Sequence, residues 1–335
     1  MPADWVRALP DDERRRLRKR SQPPWMQPML ATLTDERFSR RGWIFEPKLD
    51  GERALAFRAG TRVRMLSRNK QSLSGSYPEL AEALAAQRLD DFVVDGEVVA
   101  FADGIPSFSR LQQRMGIRDP ERAKATGVAV TYYIFDLLYL EGYDVTRLSL
   151  RQRKGLLRKA LTFRRPLRWT TYRNTEGEAA YRDACRRGLE GVIAKRADAP
   201  YAHRRSTDWL KFKCSNEQEF VIGGFTDPAG SRVGFGALLV GYHEWGKLRY
   251  AGKVGTGYDE RMLRDLRKRL DALERDESPF TNADRRRRGV HWVTPTLVAQ
   301  IGFSEWTGEG RLRHPRFLGL RRDKSPREVV RERPR

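Results

Sequence analysis

The chain of 335 residues contains only two cysteines, four histidines and thirteen lysines. It has no apolar run approaching the roughly 20 residues that a membrane-spanning helix needs. Cys185 and Cys214 are too few for a disulfide framework or a protein-only zinc site, and they read as two indifferent thiols in a reducing cytoplasm. The first twenty residues are polar and basic, without the apolar core of a secretory signal, so the reading is a cytoplasmic chain with no membrane partner. The shortage of lysine is pointed, because 53 arginines accompany it. Arginine stays protonated in proteins, whereas lysine can become a neutral nucleophile, so general positive charge is left to arginine and each lysine is worth locating. Six of them (Lys48, Lys195, Lys211, Lys213, Lys253 and Lys324) fall in short segments that look like sites on other grounds.

What is abundant is positive charge. Net charge is +22 and the pI is near 10.4, which calls for an acidic partner. Both parts of the chain contribute: residues 1–220 hold 42 basic against 29 acidic side chains, and residues 221–335 hold 24 against 15. Hydrophobic residues at 39%, with aromatics at 10%, supply enough apolar surface for packed cores and exclude a disordered basic tail as a description of the whole. The length suits two domains.

Residues 1–30, with Pro23, Pro24 and Pro28, read as a basic lead-in. Residues 31–214 have the texture of an α+β domain. Strand-type runs lie at 43–48, 53–58, 62–66, 128–139 and 191–194, and a longer run at 92–101 is broken at Asp95-Gly96-Glu97. Helical spacing marks 77–88, 150–161 and 176–187. From 215 to 335 the strands are shorter and separated by glycines, with one helix at 260–273, which suits a small closed barrel of the OB type.

The sharpest segment is Glu46-Pro47-Lys48-Leu49-Asp50-Gly51-Glu52-Arg53. It ends an apolar strand on a lysine, turns at Asp50-Gly51, and places an arginine five residues beyond the lysine. Partial desolvation at the strand end, and cations nearby, lower a lysine's pKa and predict a neutral amine at Lys48. A second pattern is Trp209-Leu210-Lys211-Phe212-Lys213, where period-two alternation puts Lys211 and Lys213 side by side on one strand face as a clamp for a phosphate.

Further segments follow in order: Ser67-Arg68-Asn69, Val94-Asp95-Gly96-Glu97, Tyr133-Ile134-Phe135-Asp136, Glu190-Gly191-Val192-Ile193-Ala194-Lys195, and Gly319-Leu320-Arg321-Arg322-Asp323-Lys324. Together with Lys48-Leu49-Asp50-Gly51-Glu52-Arg53 and the two-lysine strand, the series resembles the motifs of ATP-dependent DNA ligases within the covalent nucleotidyltransferase superfamily. Over residues 25–330 the chain is most similar to the ligase module of bacterial ligase D, the end-joining ligase. The resemblance implies an adenylation domain with antiparallel sheets and flanking helices (31–214), followed by an OB-fold barrel (215–335).

By the same resemblance Lys48 is the nucleophile that takes AMP from ATP as a phosphoramidate. Arg53 meets the ribose and phosphate side, Glu46 the adenine side, and Phe135 stacks on the base. Arg68 meets the nucleotide and later the 5′-phosphate of the nick. Glu97 holds the ribose or assists with a metal, and Glu190 binds the metal, Mg²⁺ or Mn²⁺. Lys195, Arg205, Lys211, Lys213, Arg321 and Lys324 are further nucleotide contacts, and Arg68, Lys253 and Arg313 are contacts to DNA. The implied activity is sealing of 5′-phosphate/3′-hydroxyl nicks in duplex DNA, in repair or end joining, by a monomer in the nucleoid-associated cytoplasm of a bacterium. An end-bridging Ku-type protein is a partner on family grounds. Two alternatives stand beside this: an RNA ligase or GTP-using capping enzyme sharing the lysine motif, and a non-catalytic OB-type nucleic-acid binder.

Overall fold

Apolar alternation builds the first part of the chain in layers. In the strands Glu52–Ala59 and Asp91–Ala102, Ala54, Ala56, Val94 and Val98 face a core shared with Leu80 and Leu84 of the Pro78–Ala85 helix. On the opposite face of the same strands Leu55, Phe57 and Val93 meet a second core with Phe135, Tyr201 and Trp209. The computed structural model describes residues 4–283 and 289–333, in two units: one runs up to Cys214 and the other spans Ser215–Glu332.

The first unit holds two largely antiparallel sheets. In the larger, Val130–Leu140, Asp91–Ala102, Glu52–Ala59 and Arg62–Ser67 lie in that order. In the smaller, the order is Arg173–Asn174, Trp43–Lys48, Gly191–Arg196, Arg205–Lys213 and Leu30–Leu33. The back of the smaller sheet carries Phe45, Val192, Ala194 and Phe212 against Ala180 and Ala184 of the Gly177–Arg186 helix. Asp50-Gly51 therefore carries the chain from one sheet to the other, and Lys48 stands at that corner. A Cβ at Gly51 would lie 2.2 Å from the Val98 carbonyl oxygen, so only glycine lets the chain pass.

Three expectations change. The strand expected to break at Asp95-Gly96-Glu97 is one twelve-residue strand, Asp91–Ala102; a bulge in its pairing with Val130–Leu140 absorbs the irregularity between Asp95 and Gly96. The basic lead-in is part of the first unit, because Met26 and Met29 are buried in the second core and the Trp5 indole donates to Glu141 at 2.8 Å. The cysteines are not free thiols: Cys185 and Cys214 form a disulfide. The Gly177–Arg186 helix and the end of the Arg205–Lys213 strand both pack on Gly191–Arg196, which brings the two Cα atoms to 5.3 Å across a separation of 29 residues that carries no sequence signal.

In the second unit Asn216–Thr226 pairs with Leu238–Glu244 on one side and with Val298–Phe303 and Val290–Val293 on the other. Lys247–Val254 continues from Leu238–Glu244, Arg316–Leu320 pairs with Val298–Phe303, and a bridge between Thr256 and Arg316 closes the ring. The interior holds Phe220, Ile222, Val240, Ala251, Ile301 and Phe317, and Leu263, Leu266 and Leu270 of the helix Glu260–Asp271 cover it. This is an OB-type barrel. Among the described residues no helix is long and apolar enough to cross a membrane.

Candidate active site

Strand register assembles the site. Lys48, Gly191 and Lys213 lie in one cross-strand row of the smaller sheet; Glu46, Ile193 and Lys211 form the next, and Ile44, Lys195 and Trp209 the third. Residues directly opposite one another share a sheet face, so four lysines and Glu46 project from the same side. Gly191 opens the first row. Its φ is +149° and a Cβ there would meet the Phe212 carbonyl oxygen at 1.9 Å, so no side chain stands between Lys48 and Lys213.

Glu190, one residue before Gly191, forms an ion pair with Lys48. Burial alone would push the Lys48 pKa down, but the adjacent Glu190 carboxylate outweighs it, with Asp50 and Glu97 adding, and holds the pKa above the usual lysine value. This corrects the expectation of a neutral amine. The desolvation is real, but the cations expected around Lys48 are accompanied by three carboxylates. Glu190 responds in the opposite sense: burial pushes its pKa up, and Lys48, Lys213 and Lys211 together pull it down.

The larger sheet supplies the other wall. Arg53 and Glu97 are cross-strand neighbours, and Arg53 grips Asp95 through Nε at 2.5 Å and Nη2 at 2.6 Å. Tyr201 donates its hydroxyl to Asp95 at 2.6 Å and accepts from the Met29 backbone N–H at 2.8 Å. Burial raises the Tyr201 pKa well above normal, so it remains a donor. Phe135 lies with Arg53 Cζ 4.6 Å and Lys195 Nζ 4.2 Å from its ring centre. Arg68 follows directly on the Arg62–Ser67 strand. Arg205, at the far end of the Arg205–Lys213 strand, is exposed and donates to the Ala31 carbonyl; a bulge between Ser206 and Leu210 brings it opposite Leu30, three residues from the Leu33 that faces Lys211.

In the second unit, Arg321 is held by Asp323 in a two-point contact at 2.9 and 2.8 Å, and Arg322 is exposed. Lys324 lies 3.4 Å from Glu219. Arg313 pairs in solvent with Glu305 at 2.6 Å, and exposed Lys253 borders a shallow pocket with Tyr250, Trp292 and Arg311.

The profile of the ATP dependent DNA ligase domain matches residues 28–213, and that of the ATP dependent DNA ligase C terminal region matches residues 231–324. The chain belongs to the ATP-dependent DNA ligase family. It is 38% identical over 324 residues to the multifunctional non-homologous end joining protein LigD of Pseudomonas aeruginosa, covering 94% of this chain and 38% of that protein. To the LigD of Mycobacterium tuberculosis it is 42% identical over 316 residues, covering 92% and 40%. The chain thus spans about two fifths of the length of these relatives. A solved structure of mycobacterial DNA ligase D complexed with ATP and MES is similar over 92% of this chain and 98% of that one, at 39% identity and a TM-score of 0.64. Family membership leaves the capping-enzyme, RNA-ligase and non-catalytic readings without support.

Sequence reasoning missed the residues that hold others in place. Arg153 and Asp136 are both fully buried and joined through Nε–Oδ1 at 2.7 Å and Nη2–Oδ2 at 3.0 Å, which fixes the backbone beside Phe135. Lys154, the next residue, reaches Glu46. Asp95 was visible only as part of a motif, and Tyr201 carried no sequence signal. Helical spacing over 150–161 was the one clue to Arg153 and Lys154, and it does not say which residues point inward.

Proposed function

We propose that this ligase seals 5′-phosphate/3′-hydroxyl nicks in duplex DNA through a lysyl-AMP intermediate on Lys48. The observation that carries the reading is the row Lys48–Gly191–Lys213, with Lys211 in the next row and Glu190 against Lys48. One amine at a corner between two sheets, beside a two-lysine phosphate clamp, suits attack on a phosphorus whose negative charge must be held.

In the resting arrangement Glu190 keeps Lys48 as an ammonium, so the amine attacks only after it leaves Glu190 and gives its proton to water. The Lys48 Nζ–P bond then forms as the bond from the α-phosphorus to pyrophosphate breaks, with Lys211 and Lys213 holding phosphate oxygens. Arg53, locked by Asp95 and Tyr201, offers a fixed guanidinium to the ribose side, and Phe135 offers its ring to the base. AMP passes next to the 5′-phosphate at the nick, which Arg68 meets, and the 3′-hydroxyl displaces it. Arg321 and Lys324 are the C-terminal phosphate contacts, and Lys253 and Arg313 contact DNA.

Glu190 and Glu97 are the residues that would hold Mg²⁺ or Mn²⁺. Both act on Lys48 electrostatically, so both lie near the reacting amine. Among the described residues no group of three or more His, Cys, Asp or Glu side chains is arranged to hold a metal ion by itself, which fits an ion bound by one or two carboxylates and completed by phosphate oxygens. Such an ion would supply neutralisation of triphosphate charge. The +22 charge supports phosphate-backbone binding that depends little on sequence. The LigD relatives, named for non-homologous end joining, support a role in end joining in a bacterial cytoplasm; a Ku-type end-bridging protein is the partner that this role implies.

The test is label transfer followed by sealing. α-Labelled ATP should leave an acid-labile AMP adduct on the wild-type chain, and the adduct should pass to a 5′-phosphorylated nick and yield a closed strand. A chain that takes no label, or that labels but leaves nicked DNA open, sinks the proposal.

A further inference from the structure

The second unit holds a cavity that the cycle above does not use. Lys253, Leu239, Gly224 and Trp292 stand opposite one another on four neighbouring strands, so they form one cross-strand row on one face of the barrel. Gly224 leaves a gap in the middle of that row. A Cβ there would lie 3.0 Å from Trp292 Cε3 and 3.2 Å from Leu239 Cδ1, so these two apolar side chains close over the glycine and make a floor. The floor is well covered, with Leu239 2% and Trp292 7% exposed, whereas Lys253 at the end of the row is in solvent.

Tyr250 and Arg311 supply the wall. The Arg311 guanidinium carbon lies 4.4 Å from the Tyr250 ring centre, and its Nη1 donates to the Tyr250 carbonyl. Asn282 fixes the same residue: the Tyr250 backbone N–H donates to its Oδ1 at 2.6 Å, and its Nδ2 donates to the Tyr250 carbonyl at 3.3 Å. With Ala283 and Val290 the lining is complete, and it encloses about 190 Å³.

Size and charge narrow the occupant. The volume is below the roughly 300 Å³ at which pockets for drug-sized ligands begin, so a nucleoside triphosphate is excluded and a single planar ring fits. Two cations, Lys253 and Arg311, border the pocket, and no carboxylate lines it among the described residues. Residues 221–335 as a whole carry 24 basic against 15 acidic side chains. An apolar peptide side chain would gain nothing from the two cations, whereas a base on a phosphodiester backbone uses the floor and the charge together. Bases inside a duplex are already paired and stacked, so the base that enters is an unpaired one.

We infer that this pocket holds one unpaired nucleobase of a single-stranded overhang at a DNA end, with Leu239 and Trp292 under the base, Tyr250 and Arg311 beside it, and Lys253 on its phosphate. The inference rests on the proposed DNA binding of this chain and adds to it a preference for ends that carry an unpaired base.

The test measures equilibrium binding of the full chain, at one salt concentration, to three labelled duplexes. One is blunt, one carries a short overhang, and one carries the same overhang made abasic, which keeps the phosphates and removes the bases. Wild type is expected to bind the overhang about tenfold more tightly than its abasic counterpart. Tyr250→Leu and Ala283→Leu are expected to cut that ratio to within about twofold. Ala283→Leu fills the pocket from its rim and keeps every other lining side chain, so it carries the test should Tyr250→Leu not fold, and binding of the blunt duplex reports that each variant is folded. Equal wild-type affinity for the two overhangs, or a preference retained in folded Ala283→Leu, overturns the inference and leaves the lysyl-AMP reading intact. A wild-type chain that binds none of the three duplexes removes both.

Discussion

Arg153 and Asp136 lie wholly inside the unit that ends at Cys214, as do Lys154, Lys195 and Glu46, and Arg53 binds the fully buried Asp95. The Ser215–Glu332 unit is built otherwise: Arg313–Glu305, Arg264–Glu260 and Arg249–Glu244 hold their partners partly or wholly in water, while Arg321–Asp323 and Lys324–Glu219 are sheltered. The first unit uses charge to fix side chains around the candidate site, at the expense of desolvation. The second packs around an apolar barrel and carries most of its charged side chains at the surface, where they can meet an anionic polymer. Substitutions of the same chemical kind should therefore have different consequences in the two units.

The largest difference is chemical. Lys48→Ala should abolish the AMP adduct, whereas Lys253→Ala in the second unit should leave adduct formation from ATP within about twofold and weaken only DNA binding; gel analysis of labelled protein checks both. An adduct on Lys48→Ala would move the nucleophile elsewhere. Next comes stability. Arg153→Met leaves Asp136 charged and buried without its partner, and should cost about 3–5 kcal/mol, against under about 1 kcal/mol for Arg313→Met at an exposed pair. Urea unfolding of the two variants tests the contrast, and equal midpoints would erase it.

Reduction of Cys185–Cys214 should lower the stability of the first unit by about 3–4 kcal/mol for a loop closed over 29 residues. Denaturant unfolding with and without a dithiol reductant, set against Cys214→Ser, reads this. A smaller effect is expected from salt. Removing one surface cation, as in Arg313→Ala, should flatten the dependence of log affinity for nicked DNA on log salt by about one. An unchanged slope would take Arg313 out of the DNA contacts.

How much of this was legible in the sequence follows the range of each interaction. Lys211 and Lys213 were readable because alternation is local, and Lys48 because its turn and arginine lie within five residues. The Lys48 ammonium was misjudged because the deciding carboxylate, Glu190, is 142 residues away. The Tyr201–Asp95 bond spans 106 residues and the Arg153–Asp136 pair 17, so the residues that hold the site were silent in sequence while those expected to react were not. Asp50-Gly51 was readable as a turn, but a two-residue turn signal does not say whether the next strand pairs with the last or joins another sheet. The barrel was easier, since glycine-separated strands with one helix already describe its pattern.

The smallest expected effect separates the units by pH. His291 bridges two carboxylates of the second unit, with Nδ1 2.6 Å from Glu274 and Nε2 2.8 Å from Asp227, and its ring stacks on Phe225 at 4.7 Å. Hydrogen bonding to Glu274 first, and to Asp227 after it, outweighs partial burial and raises its pKa above the ordinary value of 6.5. A raised pKa means that the folded unit binds the proton more tightly than the unfolded chain does. The resulting stabilisation is complete below pH 6.5 and fades as pH climbs through the raised folded value. Thermal unfolding from pH 6 to 9 should therefore show a modest decline in the second unit that His291→Gln flattens. A decline of equal size in wild type and variant would assign it to other groups.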